Sequence, residues 1–307
     1  MGNAYMAADL RVPTLMDVWL DYKRTRKLKP ATEADYIKRL RQLSDWWETP
    51  INEISKGLIC DRHQTLTERS PSHANLVFKV LRALMTYAEI KYEDREGAPL
   101  LKSNPVKSLS SLRAWNKIKR RKTIIGKHQM KAWFEAVYSL ENVVVRDFLL
   151  TLLLTGLRRQ EAALLTWDRI DLIGRRILIP DTKNGDDHEL PIPNYLYRVL
   201  SERNLGKRSS NPYVFPGRVA GKSLCNSNKS YQHVIERSGV QFCLHDLRRG
   251  FATTARSAGI DKDYIKRLLN HKSQDVTDGY IIMSVEDLRK PMQLIEDCIL
   301  EAAGLGF

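Results

Sequence analysis

Three short C-terminal segments carry groups suited to phosphoryl transfer: HDLRRG at 245–250, LLNH at 268–271, and Tyr280, nine residues beyond His271. Upstream, TGLRRQE at 155–161 supplies Arg158. Guanidiniums grip phosphate oxygens in bidentate forks, and two of them offset the extra negative charge of a pentacoordinate phosphorus. Imidazoles can move protons to and from the reacting oxygens. A phenol with a pKa of about 10 becomes a nucleophile once flanking cations or a base draw off its proton. Together these groups could attack a phosphodiester without a metal ion. Each residue type has its own task in that reaction, so their joint occurrence says more than any one motif.

Taken singly, each signal has a plainer reading. Arg158 follows Gly156 at the start of a new helix, where backbone N–H groups already favour an anion, yet arginines at helix starts are common surface residues. Glu161, one turn on, reads as its orienting partner. His245 and Arg248 are three apart and share one helical face, whereas Arg249 points elsewhere. Asp246 either orients a neighbour or caps the helix. Lys183 precedes Asn184-Gly185, where a mobile ammonium suits protonation of a leaving alkoxide, although on local evidence an exposed lysine in a polar turn is the leading reading. His271 either hydrogen-bonds a phosphate or is structural. Tyr264, the rival nucleophile, sits inside an amphipathic pattern and reads as packing.

These residues need a scaffold, and the apolar periodicity describes one. Thr14 can cap a helix carrying Leu15, Val18, Trp19 and Tyr22 on one face. A second helix is expected over 31–47, stopped by Pro50; Ser55 opens a third and Ser72 a fourth. The aromatic stripes of this region read as core, giving a small four-helix domain. Basic residues 23–29 either complement a helix dipole or touch phosphate. Helices resume at 127–140 and 142–154, ending at Gly156 as a C-terminal cap. Strand-like runs at 175–179 and 188–192 flank the hairpin signal Asn184-Gly185. Helical patterns return at 194–203, 227–237, 245–258 and 261–270. The fold class expected is therefore mostly α, with a small antiparallel β-sheet in a larger C-terminal helical domain.

The net charge of the 307 residues is +14. Half of it falls between 111 and 130, where Arg113, Lys117, Lys119, Arg120, Arg121, Lys122 and Lys127 stand with no acid among them. Such a run is either a solvated linker or a strap on a polyanion; between two helical domains the strap explains more, with Lys117, Lys119, Arg120, Arg121 and Lys122 contacting DNA. Four scattered cysteines lack metal-ligand spacing and suit a reducing compartment. No apolar run of membrane-spanning length and no signal-like N-terminus is present, so a cytoplasmic location and no membrane partner are expected. No Walker motif or metal cluster is visible, and no cofactor is expected.

TGLRRQE, TKNG, HDLRRGFAT, LLNH and the following tyrosine, in this order and at these intervals, resemble the tyrosine recombinase (phage integrase) family. The resemblance is strong over 125–285 and looser over the N-terminal helices, which match what the family calls a core-binding domain. It implies that Arg158 and Arg248 bind the scissile phosphate and His245 assists proton transfer. It also implies that Lys183 protonates the departing 5′ oxygen, His271 supports the transition state and Tyr280 forms a 3′-phosphotyrosyl link. Asn270 stands where family members often carry glycine, with little consequence expected. The implied organisation is a disordered or appended start at 1–10, a DNA-binding domain at 11–108, a basic linker at 109–125 and a catalytic domain at 126–284. The segment 285–307 either packs onto its own domain or docks onto a neighbouring protomer, coupling active sites in a tetramer; the second is the favoured reading, since Pro291 lets the segment detach. The arm-binding domain of many phage integrases has no counterpart here, which fits a simpler member or a trimmed chain.

The implied activity is site-specific recombination: a clamp on duplex DNA, a tetramer on recombination sites, and accessory DNA-bending or directionality proteins. Two alternatives stay open at this level. One is a type IB topoisomerase, relaxing supercoils as a monomer without preferring a sequence. The other is a DNA-binding regulator whose site residues are inert, with steeply salt-dependent binding and no strand cleavage.

Overall fold

A computed structural model describes residues 11–119, 121, 123–180, 187–206, 211–225, 227–271 and 283–306. The chain forms two compact units, Met1–Arg121 and Lys122–Phe307.

The first unit contains α1 (Leu15–Arg26), α2 (Pro30–Leu40), α3 (Lys56–Arg69), α4 (Pro71–Lys91) and the single turn α5 (Ser108–Ser111). Local chemistry sets the boundaries. Thr14 and Asp17 close α1 with a reciprocal capping box. Ser55 caps α3. The expected start at Ser72 moves back: Ser70 is the cap and Pro71 takes the first helical position, where its missing N–H costs nothing. The expected continuous helix over 31–47 is also corrected. It ends at Leu40 and tightens into a 3₁₀ stretch, Arg41–Trp46, with Leu43 outside helical geometry. Leu40, Leu43 and Trp46 are all buried in the core, and Trp47 Nε1 donates to the Leu40 carbonyl at 3.2 Å. Leu15, Val18, Trp19, Val77, Phe78, Leu81 and Leu84 complete this core, so the stripes are packing surfaces, as read. Lys117, Lys119 and Arg121 are exposed in the last stretch of this unit; Arg120 and Lys122 lie outside the described residues.

The second unit contains α6 (Met130–Tyr138), α7 (Val143–Thr155), α8 (Arg159–Ala163), β1 (Ile170–Asp171), β2 (Arg176–Ile179) and β3 (His188–Pro191). Then follow α9 (Asn194–Leu205), α10 (Asn228–Ser238), α11 (Leu244–Ser257), α12 (Lys262–Leu268) and α13 (Val285–Ala303). The apolar helix α7 runs through the core, buried from Asp147 to Thr155, and packs against α11. Among the described residues the sheet is antiparallel in the order β1-β2-β3, with Ile177 opposite Leu190 and Ile179 opposite His188. Sequence alone missed β1, whose two residues are too few to show alternation. The hairpin tip, with Lys183 and Asn184-Gly185, lies outside the described residues.

Helix α13 continues through Pro291 and buries Leu288, Met292, Ile295, Ile299 and Leu300 in this unit's own core. The face for which sequence favoured docking onto a neighbouring protomer is covered, among the described residues, by the chain's own unit. Glu296, fully buried, accepts the Tyr195 and Leu196 N–H groups at 2.7 and 2.9 Å, satisfying the open start of α9. Among the described residues, no helix is long and apolar enough to cross a membrane.

Candidate active site

Helix α7 ends at Gly156 in the left-handed region, φ +66°, which turns the chain toward α8. Arg158 is the N-terminal cap residue of α8, and Glu161 holds it twice. One carboxylate oxygen accepts the Arg158 backbone N–H at 2.8 Å; the other accepts its Nη1 at 2.7 Å. Glu161 therefore closes the first turn and aims the guanidinium, the orienting role read from its spacing.

Helix α11 carries the second pair. Asp246 is buried; it accepts the Cys243 N–H and the Thr123 hydroxyl, both at 2.9 Å, and the Arg249 guanidinium at 3.2 Å. Both readings of Asp246, cap and orienting group, therefore hold. Arg248 is 6% exposed and forks onto two carbonyls: Nη1 donates to Gly156 at 2.6 Å and Nη2 to Leu269 at 2.5 Å. Neutral acceptors fix the guanidinium without cancelling its charge, and among the described residues three of its five N–H groups remain for an anion. Burial, and then the Arg158 charge, push its pKa down to about 10, which leaves it cationic at neutral pH.

The third contributor is the end of α12. Its chain reverses at Asn270, φ +47°, and the His271 N–H returns to the Lys266 carbonyl at 2.9 Å. A left-handed residue here explains why glycine suits this position and why asparagine, the best non-glycine there, can replace it. The Asn270 carbonyl accepts Arg158 Nη2 at 3.4 Å, next to the Leu269 carbonyl that holds Arg248. Arg158 and Arg248 thus hang from adjacent carbonyls, beside His271. His245 and His271 are exposed, and both sit below the ordinary imidazole pKa. Partial burial is the leading cause for each; Arg249 and Arg248 add to it at His245, and Arg248 and Arg158 at His271. The structure gathers Arg158, Glu161, His245, Arg248 and His271. Lys183 and Tyr280 lie outside the described residues. Tyr264 packs, partly buried, against the core.

Sequence reading missed the Gly156 and Leu269 carbonyls, Thr123, and His188, which is 2% exposed on β3. A histidine at an inward position of a strand, alternating with Leu190, was the signal available for the last. Gly156 is needed twice over: a Cβ there would meet Phe251 Cδ1 at 2.7 Å and Leu269 Cδ2 at 2.8 Å. Gly156→Ala is expected to cost roughly 2–4 kcal/mol, from the left-handed backbone and from overpacking. Urea unfolding measures this, and wild-type stability would contradict it.

Comparison with known proteins identifies the family. Residues 123–286 match the model of the phage integrase family. Prophage integrase IntF of Escherichia coli K12 is 25% identical over 263 residues, covering 83% of this chain and 55% of IntF. Tyrosine recombinase XerA of Thermococcus kodakarensis is 30% identical over 154 residues, 48% of this chain and 55% of XerA. The chain thus spans about half the length of these relatives. Among solved structures, lambda integrase superposes with a TM-score of 0.67 in a dimer bound to a core site, at 17% identity over 89% of this chain and 100% of that one. Its tetramer bound to a Holliday junction also gives 0.67, at 16% identity over 92% and 86%. Fold, motif order and family match agree: this chain belongs to the phage integrase family of tyrosine recombinases.

Proposed function

We propose that this protein cleaves and rejoins duplex DNA at specific sites through a 3′-phosphotyrosyl intermediate. The observation that carries the reading is the pair of guanidiniums on adjacent carbonyls at the end of α12, beside His271. One phosphate placed there meets two preorganised cations, which favour the charge of the pentacoordinate state over the ground state. Tyr280 Oη attacks the phosphorus, His245 assists removal of its proton, and Lys183 protonates the departing 5′ oxygen. His271 donates to the phosphate. A 5′ hydroxyl reverses the sequence, and because the phosphotyrosyl bond retains the phosphodiester's energy, rejoining uses no ATP.

In this reading residues 11–108 form the DNA-binding domain, 109–125 a basic linker whose Lys117, Lys119, Arg120, Arg121 and Lys122 touch phosphates, and 126–284 the catalytic domain. Tetramer assembly on paired sites, accessory DNA-bending or directionality proteins and a cytoplasmic location belong to the same proposal. The lambda integrase tetramer on a Holliday junction supports the first of these.

The test uses nicked duplexes selected by the protein from a randomised pool. Wild type should form a covalent protein–DNA adduct in EDTA without ATP; Tyr280→Phe should bind the same duplex and form none. Binding without any adduct from wild type would favour an inert regulator. Relaxation of arbitrary plasmids without recombinants would favour a topoisomerase.

A further inference from the structure

The C-terminus of α12 is held from three directions, and one of the three holders has no part in the chemistry above. A seven-residue helix leaves its last carbonyls without intrahelical partners. Three in succession are taken by side chains from three other places. The Asn270 carbonyl takes Arg158, the Leu269 carbonyl takes Arg248, and the Leu268 carbonyl takes His188 Nε2 at 3.1 Å. His188 approaches from β3, where its register opposite Ile179 is set by the sheet.

We propose that His188 is a positioning residue, pinning the last turn of α12 to the sheet so that the adjacent carbonyls present Arg248 and Arg158 to one phosphate. The inference rests on the function proposed above and assigns part of its preorganisation. Bonding a carbonyl requires the hydrogen on Nε2. Burial keeps the ring neutral and pushes its pKa down to about 4, outweighing the Leu268 bond and the Glu161 charge, which favour the protonated ring; the Arg267 and Arg248 charges add to the lowering. The ring is therefore a fixed one-bond donor across the pH range in which the site works. Without it, the Leu268 carbonyl would lose this donor, and the turn carrying its two neighbours would be held less firmly. A displacement of about 1 Å at a catalytic group can cost on the order of 10²-fold in rate.

A histidine that merely filled the core would affect stability and nothing else, so the test separates rate from folding. His188→Leu keeps the volume and removes the donor; His188→Gln places an amide N–H near the position of Nε2; His188→Asn is too short to reach. Single-turnover cleavage of the selected nicked duplex, affinity for that duplex and the thermal midpoint are measured for each. His188→Leu is expected to cleave roughly 10- to 100-fold more slowly at saturating protein with affinity little changed, and His188→Gln to recover most of the rate. A folded His188→Leu protein cleaving at the wild-type rate would overturn the inference, as would a folded His188→Gln protein as slow as His188→Leu. If His188→Leu does not fold, the Gln and Asn variants decide: equal rates overturn the proposal, and a fast Gln beside a slow Asn supports it. A wild-type protein that forms no adduct fails the parent reading instead, and this one falls with it.

Discussion

Arg248→Ala is expected to slow strand cleavage by on the order of 10³-fold, about 4 kcal/mol of transition-state stabilisation, while weakening DNA binding far less. The asymmetry follows from how Arg248 is held. Its two carbonyl bonds orient the guanidinium before any substrate arrives, so its remaining N–H groups meet the developing charge without reorganisation. Arg248→Ala also leaves the Gly156 and Leu269 carbonyls without this donor, so a lower thermal midpoint should accompany the lost rate. Arg248→Lys should not rescue cleavage, because one ammonium cannot span both carbonyls and still present a fork to phosphate. Single-turnover adduct formation at saturating protein measures the effect. A rate within about threefold of wild type would remove Arg248 from the transition state, since catalytic electrostatic donors carry far larger factors.

The second large effect is expected at Arg158. Arg158→Ala should slow cleavage by about 10²- to 10³-fold and, independently of DNA, change how two histidines titrate. The Arg158 charge is one cause of the lowered pKa of both His245 and His271, so removing it should move both upward toward the ordinary 6.5. NMR titration of the imidazole protons in free protein reads this directly, and unmoved values would place Arg158 away from both rings. The shifts bear on stability with a definite sign. Folded-state values below 6.5 mean that, as pH falls through that value, the unfolded chain takes up protons the folded site refuses. Stability is therefore lost from about pH 6.5 downward, and His188, at about 4, extends the loss toward pH 4. Arg158→Ala should lose less than wild type in the upper part of that window.

Much of this arrangement was legible in the chain because it is encoded locally. Thr14 and Ser55 cap the helices they precede, and Gly156 supplies the left-handed end of α7. The spacings of Arg158 to Glu161 and His245 to Arg248 are one helical turn, so neighbours in space are near neighbours in sequence. What was not legible depends on distant partners. The Arg248 bonds to Gly156 and Leu269 cross 92 and 21 residues, and the His188 bond to Leu268 crosses 80. No periodicity records such pairings. The break at Leu43 is likewise not announced locally, since the apolar spacing over 31–47 suits an unbroken helix. The apolar face of α13 announced that it would be buried, but nothing along the segment specified that β3, α6 and α11 would cover it.

The most direct measurement is the site of covalent attachment. Wild-type protein trapped on a nicked duplex, digested with protease and nuclease, should yield one nucleotide-bearing peptide, with the phosphate on the Tyr280 oxygen. Attachment at Tyr264 or any other side chain, or no nucleotide-bearing peptide from wild type, would contradict the account.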